Sequence, residues 1–266
     1  MSKTVTYFPL QCAQNSGPVM TAAISALQQH GFKVVPDQPD ADIAVIWSVL
    51  WTGRMARNRE IYEAYRSTNR PVICIEVGAL RRGITWKIAL NHVNALGNYG
   101  HKHNLDSDRP RKLGIALSHN KIDQGQILVA GQHNQSLQLQ GVDQEAWLVE
   151  QINKTANSRK VVVRPHPRCP LDRSRFPRNV VWQQPRKVVD TYDSFDMSWD
   201  FDAVINYNSG PGIQAVIAGV PAIVDQTSLA YGVTDRPQWL IEICHTEYTV
   251  EEIESGIWVK RIGLES

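Results

Sequence analysis

The strongest constraint on this chain is a set of short runs in which nearly every residue is apolar. They are Ile43–Trp47 (IAVIW), the centre of Pro71–Glu76 (PVICIE), Ile127–Ala130 (ILVA), the centre of Lys160–Arg164 (KVVVR) and the start of Ala203–Asn206 (AVIN). A strand with one wet face alternates apolar and polar residues. A strand without alternation must be covered on both faces, as a central strand of a parallel sheet is. Helical segments fill the gaps. Val19–His30 puts Met20, Ile24 and Leu27 on one face and meets a stop at Gly31; Asn58–Ser67, Gln144–Ala156 and Gly212–Ala218 are read as further helices. Thr4–Phe8, Phe32–Val35 and Pro221–Val224 add strands. This order predicts an α/β fold of two Rossmann-like lobes, residues 1–112 and 113–266. Each would be a parallel sheet covered by helices, with a cleft between the lobes. Ala79–Asp108, rich in glycine, histidine and asparagine, breaks the rhythm and reads as an irregular segment; Val250–Ser255 is a further amphipathic piece.

With 42% apolar and 20% charged residues among 266, a core of ordinary size is available and global disorder is excluded. The net charge of +2 falls short of the strongly basic footprint of a dedicated nucleic-acid binder. Cys12, Cys74, Cys169 and Cys244 are far apart with no CxxC spacing, which predicts reduced, buried thiols and no metal centre. No stretch approaches the ~20 apolar residues of a membrane span, and MSKTVTYFPL lacks a signal-peptide core. The expectation is a cytoplasmic protein without a membrane partner.

In open α/β sheets ligands collect outside the carboxyl ends of the strands, and four segments place unusual residues there. Gly131-Gln132-His133-Asn134-Gln135-Ser136 follows ILVA; a glycine at that point lets the backbone approach a ligand closely. Arg164-Pro165-His166-Pro167-Arg168 follows KVVV. Its prolines hold His166, and its guanidinium groups suit forked bonds to phosphate. Asn206-Tyr207-Asn208-Ser209-Gly210-Pro211-Gly212-Ile213-Gln214 opens a helix with small residues. A helix N-terminus offers unpaired N–H groups to an anion, and Ser209 is placed to cap it. The spacing is not that of a Walker loop and no lysine follows the last glycine, which excludes a P-loop NTPase. Finally, Glu76 ends a buried strand in the first lobe. It is placed either to take a proton from an acceptor hydroxyl or to pair with Arg81 or Arg82. Trp47 and Trp51 near the same edge are placed to stack on a ring or to pack in the core.

Together these segments resemble the capsule polysaccharide biosynthesis proteins, in particular the β-Kdo glycosyltransferases with a GT-B-like fold. The resemblance rests on Gly131-Gln132 at one strand end, His166-Pro167 at another and the Ser209–Gln214 helix start. Gly219-Val220-Pro221 and Tyr231 in LAYG complete it, so that it spans roughly residues 113–235. It implies that the C-terminal lobe binds a nucleotide-sugar donor through Gly131, Gln132, Arg164, His166, Pro167, Arg168, Asn208, Ser209, Gly210, Gly212, Gln214 and Tyr231. The donor would be a co-substrate, with no permanently bound cofactor. The family's first lobe carries Glu-Asp-Gly-Phe-x-Arg with a catalytic aspartate, whereas this chain reads Glu76-Val77-Gly78-Ala79-Leu80-Arg81. Valine stands at the aspartate position: either Glu76 takes over the role, as base or nucleophile, or the chemistry differs; Glu76 and His166 are the candidate catalytic residues.

The expected activity is transfer of a sugar from a nucleotide donor to a hydroxyl acceptor. That acceptor is a glycan or, because short chains of this kind also resemble products of tailed phages, a hydroxymethylated base in viral DNA. Two alternatives stay open. One is a non-catalytic nucleotide-sugar-binding protein. The other is a DNA-binding protein using Arg81, Arg82, Arg109, Arg111 and Lys112, residues that otherwise form a solvated rim.

Overall fold

The computed structural model describes residues 2–119, 124–184 and 200–265. In chain order the strands of its first half are β1 (Thr4–Tyr7), β2 (Lys33–Pro36), β3 (Ile43–Trp47), β4 (Val72–Val77) and β5 (Trp86–Leu90). Those that follow are β6 (Gln126–Ala130), β7 (Lys160–Arg164), β8 (Val181–Trp182), β9 (Ala203–Ile205), β10 (Ala222–Ile223) and β11 (Glu247–Tyr248). The helices are α1 (Gly17–Gln29), α2 (Asn58–Ser67), α3 (Arg109–Lys112), α4 (Gln144–Thr155), α5 (Gly210–Ala218), α6 (Arg236–Ile243), α7 (Val250–Glu254) and α8 (Ile257–Arg261).

The chain forms two compact units. The first comprises Met1–Arg109, Gln135–Gln138 and Ile241–Ser266, and the second Pro110–Asn134 and Leu139–Leu240. The fold is α/β with two parallel-rich sheets. It departs from the sequence expectation in two respects.

The first sheet has the order β11-β5-β4-β3-β1-β2. Its β2-β1-β3-β4 part is parallel, while β5 runs antiparallel to β4, and β11 antiparallel to β5. The stretch expected to be irregular therefore contains a strand, hidden by a lysine in the middle of WKIAL. Successive side chains of a strand face opposite ways, which explains the continuous apolar runs here. Ile43, Val45, Trp47, Ile73 and Ile75 face one layer with Ala22, Ala23, Ala26 and Leu27 of α1. Ala44, Ile46, Val72 and Cys74 face the other, with Tyr65 of α2.

The second departure is the carboxyl-terminal segment, which packs with the first unit, so a single break at residue 112 does not describe the chain. Ile253, Trp258, Val259 and Ile262 join the α1 side of the first core, and Trp258 is fully buried. A capping box between Thr249 and Glu252 opens α7. Helix α7 coincides with the amphipathic stretch Val250–Ser255, whereas the five residues of α8 are too few to show a period in sequence.

The second sheet has the order β10-β9-β6-β7-β8, with every pairing parallel. Counted within its own unit this is 3-2-1-4-5 read from β8, the dinucleotide-fold order. Its direction of winding reverses between β6 and β9, where such sheets open a crevice for ligands. Leu148 and Ile152 of α4 cover one face against Ile127, Val129, Val161 and Val163. Ala215 and Ala218 of α5 cover the other against Leu128, Val162 and Val204. Asp143 caps α4 by accepting the Ala146 N–H at 3.0 Å, and α5 ends on Gly219 at φ 82°.

Candidate active site

In the second unit, three of the segments singled out by sequence meet at this reversal point. Gly131 leaves β6 so close to the neighbouring chain that an added Cβ would lie 3.2 Å from Leu171 Cδ1, 3.4 Å from the Pro165 Cα and 3.5 Å from the His166 nitrogen. The ring of His133 then meets that of His166 edge-on, with centroids 5.3 Å apart. On the other side Gln132 Nε2 donates to Asn208 Oδ1 at 2.9 Å, and the Asn208 N–H donates back to Gln132 Oε1 at 3.1 Å. The loops after β7, β6 and β9 are thus joined through three successive residues, Gly131, Gln132 and His133.

Several side chains expected at a ligand are used in building this floor instead. Gln132 and Asn208 are each 5% exposed. Gln144 of α4 closes on the Gln132 backbone at both ends, accepting its N–H at 2.6 Å and donating to its carbonyl at 3.0 Å. Asn208 Nδ2 continues to Thr227 Oγ1, whose hydroxyl donates to Asp225 at 2.6 Å. A buried amide chain with each member bonded to the next specifies one loop arrangement. Arg164 is buried, and its Nη2 donates to Gln183 Oε1 at 2.8 Å. Gly212 is required by packing, since a Cβ there would lie 2.8 Å from Val224 Cγ1.

Ser209 occupies the N-cap position of α5 but makes no capping bond through its side chain. Its Oγ and N–H both face Asn206 Oδ1, at 3.2 and 2.9 Å, while Asn206 Nδ2 donates to Ser209 Oγ and to the Ala130 carbonyl, each at 2.9 Å. The fully buried Asn206 therefore ties the end of β6 to the start of α5. Its sequence signal was its place at the end of an apolar run.

His166, Pro167, Ser209, Gly210 and Gln214 are partly exposed, Arg168 is exposed, and Tyr231 stands 59% exposed. His166 sits in a tight turn in which the Cys169 N–H donates to the His166 carbonyl at 3.0 Å. Its Nδ1 accepts the Arg168 N–H at 3.1 Å. That bond places the proton of the neutral ring on Nε2 and makes Nε2 a donor.

In the first unit, Glu76 is partly exposed at the end of β4. Its Oε2 accepts from Ser48 Oγ at 2.7 Å and from the Val49 N–H at 3.3 Å. Val77, at the family's aspartate position, packs on the apolar core. Glu76 lies opposite Lys87, and Lys87 opposite Glu247, in the registers of β4, β5 and β11. The three side chains consequently form a row on one face. Burial pushes the Lys87 ammonium down, while Glu247 and Glu76 act to raise it and Arg82 acts to lower it. Glu247, with no exposed surface, accepts the Ala79 N–H at 2.6 Å, the Leu80 N–H at 3.1 Å and the Thr85 hydroxyl at 2.6 Å. The loop after β4 is wrapped around that carboxylate, and a Cβ on Gly78 would lie 2.3 Å from it.

Trp47 is buried in the core and Trp51 packs 5.9 Å from Tyr62, so both are used in packing. Arg109 belongs to neither a nucleic-acid surface nor a solvated rim. It is 6% exposed and forks onto Glu252 at 2.6 and 2.9 Å, with further bonds to the Cys244 and Glu247 carbonyls. All four cysteines are buried free thiols, and burial pushes Cys244 up to about 12. Among the described residues no group of His, Cys, Asp and Glu is suited to a metal ion, and no helix is long and apolar enough to cross a membrane.

No family model matches the sequence, and no curated protein matches it either. Two solved structures resemble the fold along most of its length. The KpsC beta Kdo 2,7 transferase of Thermosulfurimonas dismutans is 13% identical, with a TM-score of 0.53 over 97% of this chain and 100% of that one. The KpsC beta Kdo 2,4 transferase of the same organism is 14% identical, with a TM-score of 0.52 over 92% of this chain and 90% of that one. At such identities the likeness is one of fold: this chain shares the α/β architecture of these Kdo transferases.

Proposed function

We propose that the protein is a glycosyltransferase that moves a sugar from a nucleotide-sugar donor to a hydroxyl acceptor. The observation that carries this reading is the meeting of the β6, β7 and β9 loops at the reversal point of a 3-2-1-4-5 sheet. Negative charge builds on the donor phosphate as the glycosidic bond breaks, and fixed donors aimed at that charge lower the barrier. The second unit offers the His166 Nε2–H, the exposed Arg168 side chain and the Gly210 N–H at the start of α5, where Pro211 has no N–H and the Gly212 N–H donates to the Ser209 carbonyl. Gln132, Asn206 and Asn208 hold these loops in place, and Gly131 gives them room. In the first unit Glu76 is the candidate base for the acceptor hydroxyl.

The test is release of nucleotide and labelling of acceptor with a panel of nucleotide sugars that includes an activated Kdo. Acceptors should include glycans and DNA carrying hydroxymethylated bases. His166→Ala is expected to lower turnover about 100-fold or more while unfolding at the same urea concentration; unchanged transfer by this variant would refute the assigned role. Donor binding without turnover in the native chain would instead establish a binding protein, the reading that valine at position 77 permits.

A further inference from the structure

We propose that Ser48 is a positioning residue for Glu76, and that its left-handed backbone is the device that holds the carboxylate in place. The inference rests on the transferase reading above. Ser48 follows β3 directly, beside the point where the parallel part of the first sheet reverses between β1 and β3. Its φ is 67°. A side chain in that region costs roughly 1–2 kcal/mol, and such residues persist only where the surroundings over-determine them.

Among the described non-glycine residues with positive φ, most are asparagines and all but Ser48 lie at least partly in solvent; Ser48 is 3% exposed. Asparagine tolerates this conformation better than serine does, so a demand for the turn alone does not explain the choice.

Three bonds brace the turn. The Ser48 N–H donates to the Ile75 carbonyl at 2.7 Å, Asn58 Nδ2 donates to the Trp47 carbonyl at 2.6 Å, and the Leu50 N–H donates to Ser48 Oγ at 3.0 Å. What the turn achieves is the direction of two donors. The Ser48 hydroxyl and the Val49 N–H converge on one oxygen of Glu76, while the Val77 N–H meets the other at 2.9 Å. A base must present its lone pair along one line to its substrate, and displacement of about 1 Å can cost 100-fold in rate. A buried hydroxyl held 2.7 Å from a partly exposed carboxylate supplies that restraint.

Ser48→Gly and Ser48→Ala separate the restraint from the strain. Glycine removes the hydroxyl and relieves the backbone; alanine removes the hydroxyl and keeps the strain. Both variants lose the hydroxyl's bonds to Glu76 and from the Leu50 N–H, so Ser48→Gly is expected to be more stable than Ser48→Ala by the strain it relieves. In both, kcat should fall about 10- to 100-fold with donor KM unchanged. Native kcat in Ser48→Gly would overturn the proposal, and if Ser48→Ala fails to fold, Ser48→Gly carries the test alone. A crystal structure of Ser48→Gly provides a readout independent of turnover. A displaced Glu76 carboxylate supports the proposal even where no donor is turned over by the native chain, an outcome that removes the transferase reading by itself. A carboxylate in its native place overturns the proposal whatever the activity.

Discussion

Acid should destabilise the first unit before most of its carboxylates protonate, because histidines packed there are held uncharged. Burial pushes His92 and His101 from the usual 6.5 down to about 4, and it lowers His245 as well. The geometry agrees. His92 Nδ1 accepts the Val93 N–H at 3.1 Å, and His245 Nε2 accepts the Asp106 N–H at 3.1 Å while its Nδ1 faces the Ile241 carbonyl. A second proton on either ring would oppose an N–H with an N–H. A depressed folded-state affinity means that the unfolded chain takes up protons first, so stability falls as pH drops below 6.5 and continues to fall until about 4. At about 1.4 kcal/mol per pH unit, the gap is worth about 3 kcal/mol for each of His92 and His101 once crossed, and about 2 kcal/mol each at pH 5. Against a typical total of 5–15 kcal/mol, a loss of about 4 kcal/mol is readily measured. Asp143, Asp172 and Glu251 are held below their ordinary values of 3.8, 3.8 and 4.5, so their contribution is lost only as pH falls past those values, below the pH 5.0 end of the measurement. The assay is urea unfolding at pH 7.5, 6.0 and 5.0, with amide exchange followed over β5 and residues 91–105 to localise the change. His92→Asn, whose Oδ1 can take the place of Nδ1, should recover about 2 kcal/mol at pH 5. Stability that stays flat between pH 7.5 and 5.0, or an equal decline in the variant, would refute the reasoning.

Two further outcomes follow from packing. Trp258→Ala removes a fully buried indole whose N–H donates to the Ile253 carbonyl at 3.0 Å; it should cost about 3–5 kcal/mol, read as a lower urea midpoint for the first unit. Asn206→Leu breaks the bonds from the Asn206 side chain to the Ala130 carbonyl and to Ser209. It is expected to destabilise the second unit by about 1–3 kcal/mol and, in titration calorimetry, to weaken donor binding more than Tyr231→Ala does.

The chain order of apolar runs was enough to locate the central parallel strands, because burial on both faces leaves a mark in every residue of the run; the two-residue edge strand β8, partly exposed, left none. The runs did not reveal β5, where Lys87 sits between two carboxylates, or β11 and α8; of the carboxyl-terminal elements only α7 was marked, as the amphipathic stretch Val250–Ser255. The burial of Lys87 depends on Glu76 and Glu247, which lie on other strands, and no local period records that.

The candidate site divides along the same line. A polar residue at the carboxyl end of a buried strand is visible in sequence, and Gly131, His166 and the Ser209 turn were found that way. What the residue bonds to is not visible, since the partner is distant: Gln132 pairs with Asn208 across 76 positions, and Ala79 with Glu247 across 168. Strand order selects the loops. The choice between ligand contact and loop scaffold is made by amide and carboxylate partners brought in from elsewhere. Glutamine and asparagine at such ends, able to bond each other, therefore serve as scaffold here, whereas His166 is partly exposed and Arg168 exposed. Ser48 follows from the same reasoning: its hydroxyl matters because Glu76 ends the adjacent strand, and sequence alone records neither the adjacency nor the φ of 67°.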